Sequence, residues 1–106
     1  MEKNCEKKAK TALTEGKYYM VVDEWCYPTE TGRDFLMDFD SLEEALKWSE
    51  SKCESETWNF ADVTGCDPCA PERFKGAYEG YVISPKNGLD DWWYAVKVVP
   101  VVHGAV

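Results

Sequence analysis

The stretch from Asp38 to Gly65, DFDSLEEALKWSESKCESETWNFADVTG, restricts the fold of this chain more than any other, because it carries a helix start, an apolar stripe and a stop. Ser41-Leu42-Glu43-Glu44 is a capping box: the Ser41 hydroxyl accepts from the backbone N–H of Glu44, and the Glu44 carboxylate reaches back to the N–H of Ser41. Asp40, Glu43 and Glu44 also place negative charge beside the positive end of the helix dipole. At about 100° per residue, Leu42, Ala45, Leu46, Ser49 and Cys53 share one face. The same wheel returns Phe60 to the angle of Leu42 and Val63 to that of Ala45. The spacing therefore predicts one helix over about 41–63, with Gly65 as a left-handed stop. At 1.5 Å per residue this is a rod of about 35 Å, enough to cross a small domain. Polar Ser55-Glu56-Thr57 is its weak point, and the competing reading ends the helix near Glu54 with a strand over Thr57–Ala61.

The rest of the chain must supply a sheet and loops. Residues 2–15 fit a short helix with Cys5, Ala9, Ala12 and Leu13 on one side, or a loose arm. Lys17–Trp25 is dense in strand formers, and both of its faces are apolar in their first half, which predicts an interior strand. Tyr27–Gly32 reads as a turn-rich loop. Arg33–Phe39 alternates as a second strand, with Phe35, Met37 and Phe39 inward and Leu36 the exception. The two strands form an antiparallel hairpin that runs into the helix cap. Residues 66–76 read as a loop and Gly76–Ser84 as a third strand, bulged at Gly80. Asn87-Gly88 signals a turn. Asp91–Val102 gives a fourth strand in which Trp92, Tyr94, Val96 and Val98 share a face, Pro100 marks a far end that is unpaired or at an edge, and residues 101–106 form a loose tail. The expected architecture is a single α+β domain of order αββαββ, a mostly antiparallel four-stranded sheet with one long helix across a face.

Net charge is −8, unevenly spread. Residues 1–17 carry +2, residues 18–72 carry −11 and residues 73–106 carry +1. Contact with a phosphate backbone needs cations, so direct nucleic-acid binding by the acidic segment is disfavoured and a basic protein partner is favoured. The N-terminus has no apolar core of a secretory signal and no apolar window is long enough to span a membrane, so a cytoplasmic protein is expected.

Enzymatic signatures are absent: the single His is His103, near the C-terminus, and there is no G-x-S-x-G, P-loop or H-E-x-x-H. No catalytic residue and no cofactor is assigned. Cys66-Asp67-Pro68-Cys69 is half of a zinc site, which needs further ligands from Cys5, Cys26, Cys53 or His103 to close a tetrahedron. As a redox pair it follows a helix end where a thiolate needs a helix start. Asp38, Asp40, Glu43 and Glu44 lack the glycine and the bidentate Glu of a calcium loop.

The expected function is a small acidic interaction module docking on a basic protein. Its most specific form is an inhibitor, a nucleic-acid-mimicking decoy of the kind carried by phages and mobile elements, that occupies the channel of a nucleic-acid-binding enzyme. The residues expected to make that contact are Asp23, Glu24, Trp25, Tyr27, Glu30, Asp34, Asp38, Glu43, Glu50 and Glu54. Aromatic rings framed by Asp23, Glu24, Glu30 and Asp34 suit a basic groove, and Trp and Tyr are common interface anchors. Two alternatives are a zinc-stabilised domain using Cys66 and Cys69, and an aromatic small-ligand or carbohydrate site on exposed Trp residues.

Overall fold

The computed structural model describes residues 17–102. The expected N-terminal helix, Cys5 and His103 lie outside the described residues. In chain order come β1 (Lys17–Tyr27), β2 (Glu30–Phe39), α1 (Leu42–Ser55), α2 (Thr57–Thr64), β3 (Glu72–Lys75), β4 (Glu79–Ile83) and β5 (Trp93–Val102). Among the described residues the architecture is α+β, with a five-stranded antiparallel sheet in the order β2-β1-β5-β4-β3 and two helices. The expectation of four strands and one long helix is corrected on both counts.

The first helix begins where its cap requires. The Glu44 N–H donates to Ser41 Oγ at 3.2 Å, and the Ala45 N–H donates to the Ser41 carbonyl at 3.0 Å. It breaks at Glu56, the weak point of the wheel. Ser55 Oγ donates to the Lys52 carbonyl at 2.6 Å and Thr57 Oγ1 to the Glu54 carbonyl at 2.9 Å. These side chains compete for the carbonyls of the last turn, and Glu56 (φ −94°, ψ −2°) turns the chain. Beyond the break the chain resumes as a second helix, not as a strand. Phe60 is fully buried as the wheel requires, whereas Val63 is 39% exposed. Gly65 ends α2 at φ 72°, ψ 14°, the left-handed stop expected of it.

The hairpin is tighter than expected. Pairing runs to Tyr27↔Glu30, so only Pro28 and Thr29 connect the strands, and Gly32 lies within β2 opposite Trp25. A Cβ at Gly32 would collide with the Trp25 indole, so this glycine seats a ring and makes no turn. The register slips at Val21/Val22, where Leu36 is the extra residue on β2. This bulge corrects the alternation expected for β2: Leu36 and Phe39 pack on the core, while Phe35 is 56% exposed and Met37 is also exposed.

β1 is an interior strand, as its two apolar faces require. β3 (ERFK) falls in the expected loop, pairing with β4 at Arg73↔Tyr81 and Phe74↔Gly80. Gly80 is not a bulge: a Cβ there would strike the Val96 carbonyl oxygen and the Phe74 ring. β5 continues through Val101 and Val102, paired with Tyr18 and Lys17, so those two residues are strand and not tail. Pro100 pairs with Tyr19 on one side; the β4 pairing stops at Val98, so its missing N–H breaks no ladder.

Both helices lie on one face of the sheet. Val21, Ile83, Val96 and Val98 from the strands meet Ala45, Cys53 and Phe60 from the helices, all essentially inaccessible to water. Each large side chain so buried contributes about 1.5–3 kcal/mol before entropy is counted. Ser49, also buried, is satisfied by donating to the Ala45 carbonyl at 2.7 Å. Trp92, Tyr94, Val96 and Val98 share this helix-covered face. By register, Met20, Val22, Glu24, Phe35, Trp93 and Lys97 belong to the opposite face.

Candidate functional site

Asp23 is the anomaly from which the site is built. In β1 it alternates with Val21, Trp25 and Tyr27, so the strand turns its carboxylate towards the helices, and it is only 7% exposed. β5, the neighbour of β1, brings up Tyr94, whose hydroxyl donates to Asp23 Oδ2 at 2.7 Å. Among the described residues, Asp23 Oδ1 has no hydrogen-bonding partner. The hydroxyl of Tyr27, also 7% exposed, meets no partner among the described residues at full hydrogen-bond geometry, although the Asn59 side chain is near enough to lower its pKa. Buried polar atoms are nearly always paired, so two orphans facing one space point to something that fills it.

That space is a pocket of about 190 Å³ at the hairpin end of the sheet. β1 contributes Asp23, Trp25 and Tyr27, β2 contributes Glu30 and Asp34, and β5 contributes Tyr94. The kink between the helices supplies Glu56 and Asn59. Trp25 is held by its indole N–H, which donates to Glu30 Oε2 at 3.2 Å, and its ring centroid lies 6.5 Å from that of Tyr27. Tyr27 in turn packs edge-on against Phe60 at 6.0 Å, which fixes it to the core. Glu56 is paired with Lys52 at 2.9 Å.

Electrostatics follow from burial. The Asp23 carboxyl is raised above its ordinary range by desolvation, partly offset by the Tyr94 hydrogen bond and by Lys52, with Asp34 and Glu56 adding to the rise. The Tyr27 hydroxyl is pushed up to about 12 by burial and then by Glu56. Tyr94 is raised too, by burial first and then by Asp23. The tyrosines are protonated at neutral pH, and the acids of the lining, Asp23, Glu30, Asp34 and Glu56, outnumber the nearby cation Lys52. A cation placed there is stabilised, and an anion is repelled.

Five of the residues expected to meet a partner, Asp23, Trp25, Tyr27, Glu30 and Asp34, are thus brought together. The others are dispersed. Glu43 and Glu50 line a second cleft of about 490 Å³ between α1 and the β3–β4 hairpin, with Glu44, Lys47 and Arg73. Arg73 is engaged there, paired with Glu79 and 6.0 Å from the Tyr81 ring centroid. Glu54 is exposed on α1. Glu24 and Asp38 lie on the far face of the sheet by register, and Glu24 is tied to Lys97 at 2.8 Å and Arg33 at 3.1 Å. Tyr27, one of the expected contact residues, is buried.

Glu56, Asn59 and Tyr94 were not anticipated as site residues. Tyr94 had a signal, since its shared face with Val96 and Val98 pointed it towards the helices. Asp23 had a stronger one, as a charge at an inward strand position between Val21 and Trp25. Glu56 had only the polar weak point of the helix, which did not say which way a kink would turn it, and Asn59 had none.

The Cys66 and Cys69 loop is braced by its own hydrogen bonds. The Cys69 N–H donates to the Ser84 carbonyl and the Lys86 N–H to the Asp67 carbonyl, both at 2.8 Å. Cys66 Sγ lies 3.4 Å from Asp90 Oδ2, and its thiol is raised by desolvation and then by that carboxylate. Among the described residues, no group of three or more His, Cys, Asp and Glu side chains is placed to hold a metal ion. Trp58 is 76% exposed, whereas Trp25, Trp48 and Trp92 pack against the core. No helix among the described residues is long and apolar enough to cross a membrane.

No family model, curated protein or solved structure matches this chain.

Proposed function

We propose that this chain is a small acidic interaction module whose helix-bearing side docks on a basic protein, with a cationic side chain of the partner entering the Asp23 pocket. One observation carries this reading: a buried carboxylate with an unpartnered oxygen faces an acid-rimmed, aromatic-walled pocket. An unpaired buried charge is destabilising on its own, and a partner's cation removes that penalty. Exposed Glu30 and Asp34 beside the pocket, and Glu43, Glu50 and Glu54 along α1, add long-range attraction. Protein surfaces rich in unpaired cations are above all those that hold phosphate backbones. The partner class is therefore a nucleic-acid-binding enzyme, and the outcome of docking is inhibition by occupation of its channel.

The test is capture of basic proteins on the immobilised chain, with duplex DNA and salt as competitors. Release of the captured protein by DNA, a steep loss between low and physiological salt, and loss of capture by Asp23→Asn support the reading. Capture that is indifferent to all three overturns it.

A further inference from the structure

We infer that the Asp23 pocket is an ammonium site, taking the Nζ group of a lysine in preference to the guanidinium of an arginine. This rests on the docking reading above and names the group that anchors it. The choice depends on which acceptors are free. A guanidinium is planar and binds a carboxylate best as a fork, with two parallel N–H donors on two oxygens. Asp23 offers that edge unevenly: Oδ2 already accepts from the Tyr94 hydroxyl at 2.7 Å, whereas Oδ1 has no partner among the described residues. A lysine ammonium is compact, with three donors that radiate from one nitrogen. Asp23 Oδ1 and the Tyr27 hydroxyl oxygen, both orphaned and both in the lining, accept two of them, and the side chains of Glu56 or Asn59 take the third.

The walls suit the same guest. Trp25 and Tyr27, tilted 31° to each other, present rings on which the lysine methylenes pack and towards which the cation is drawn. The rings are set in place beforehand, Trp25 by Glu30 and by its seat over Gly32, Tyr27 by Phe60. Little ordering is left for the guest to pay for. A bare divalent cation is a poorer fit, since it demands six or more oxygens at short range and the described residues hold no such cluster.

The experiment titrates the full chain with n-butylammonium and with n-butylguanidinium, read by tryptophan fluorescence, and repeats both on Asp23→Asn. An acetylated tetralysine amide is titrated in parallel, read by calorimetry. Saturable binding of n-butylammonium, tighter than n-butylguanidinium and weakened about ten- to a hundredfold by Asp23→Asn, is the expected result. Equal or tighter binding of n-butylguanidinium overturns the inference, as does a response that Asp23→Asn leaves unchanged. Should Asp23→Asn fail to fold by circular dichroism, Tyr27→Phe, which removes only the second acceptor, is expected to weaken n-butylammonium binding severalfold, and no weakening overturns the inference. Tetralysine binding without n-butylammonium binding removes the anchor and leaves the docking surface standing. Failure of tetralysine to bind removes the docking reading itself.

Discussion

The Tyr94 hydroxyl meets Asp23 Oδ2 at 2.7 Å although the residues are 71 positions apart, one on β5 and one on β1. This bond holds half of a buried carboxylate and leaves the other half exposed to the pocket. Removing it by Tyr94→Phe leaves a buried charge with neither oxygen partnered. Loss of about 1–3 kcal/mol is expected, read as a lower urea midpoint. A double-mutant cycle with Asp23→Ala, which removes the acceptor, should show non-additivity, because each substitution then abolishes the same interaction. Strict additivity would mean that the bond contributes nothing.

Asp23 makes stability depend on pH in an identifiable direction. Its folded pKa is raised above the ordinary 3.8, so the native state holds a proton that the unfolded chain has given up. Stability is therefore lost as pH rises from about 3.8 through the folded value. The groups that set the folded value are Tyr94 on β5, Asp34 on β2, Lys52 on α1 and Glu56 at the kink. Asp23→Asn lacks this loss. Its unfolding midpoint at pH 7 should exceed that of the parent, because the amide has no charge to desolvate. The gap should close as pH falls through the window. A variant that is stabler at neutral pH and defective in binding marks a charge kept for function.

Neutralising acids should separate the two faces of the sheet. Glu43→Gln, Glu50→Gln and Glu54→Gln, on the helix side, should each weaken binding to a tetralysine peptide by about 0.2–1 kcal/mol in low salt. Glu24→Gln and Asp38→Asn, on the far side, should leave it unchanged. For Glu24, melting should instead report the loss of its pairs with Lys97 and Arg33. Equal effects from both faces would show that net charge alone drives association.

Two glycines should respond very differently to alanine. Gly65 has open space around its Cβ position but a φ of 72°, so Gly65→Ala should cost about 1–2 kcal/mol. Gly80→Ala drives a methyl into the Val96 carbonyl between β4 and β5, and a loss above about 3 kcal/mol is expected. Thermal melts rank the two directly.

Cys53 is fully buried under α1, with its thiol pushed up to about 12 by burial and then by Glu56. At pH 8 it should resist alkylation until the chain unfolds, whereas the half-buried Cys26 should be modified in the native state. Peptide mapping after iodoacetamide treatment identifies which sites react.

Local chemistry made parts of this protein readable in one dimension. A hydroxyl three residues before a glutamate started α1 at Ser41, a residue without a Cβ stopped α2 at Gly65, and alternating apolar positions aligned Tyr94 with Val96 and Val98. The polar Ser55-Glu56-Thr57 step was visible as a weak point, but the choice between a strand and a second helix after it depended on Phe60 finding the core. The acidity of residues 18–72 was equally plain; its division between two faces was not.

The features that only tertiary structure decided share one physical cause. β3 has no periodicity of its own and exists because β4 offers it an edge. The Leu36 bulge is a compromise between two strands and belongs to neither sequence alone. The pocket needs β5 beside β1, a tight Pro28–Thr29 turn and a kink at Glu56, all at once. Short-range propensities act along the chain, whereas pairing and burial act across it. An aspartate in β1 was legible from the start, but its burial, its single bond to Tyr94 and its orphaned oxygen were not.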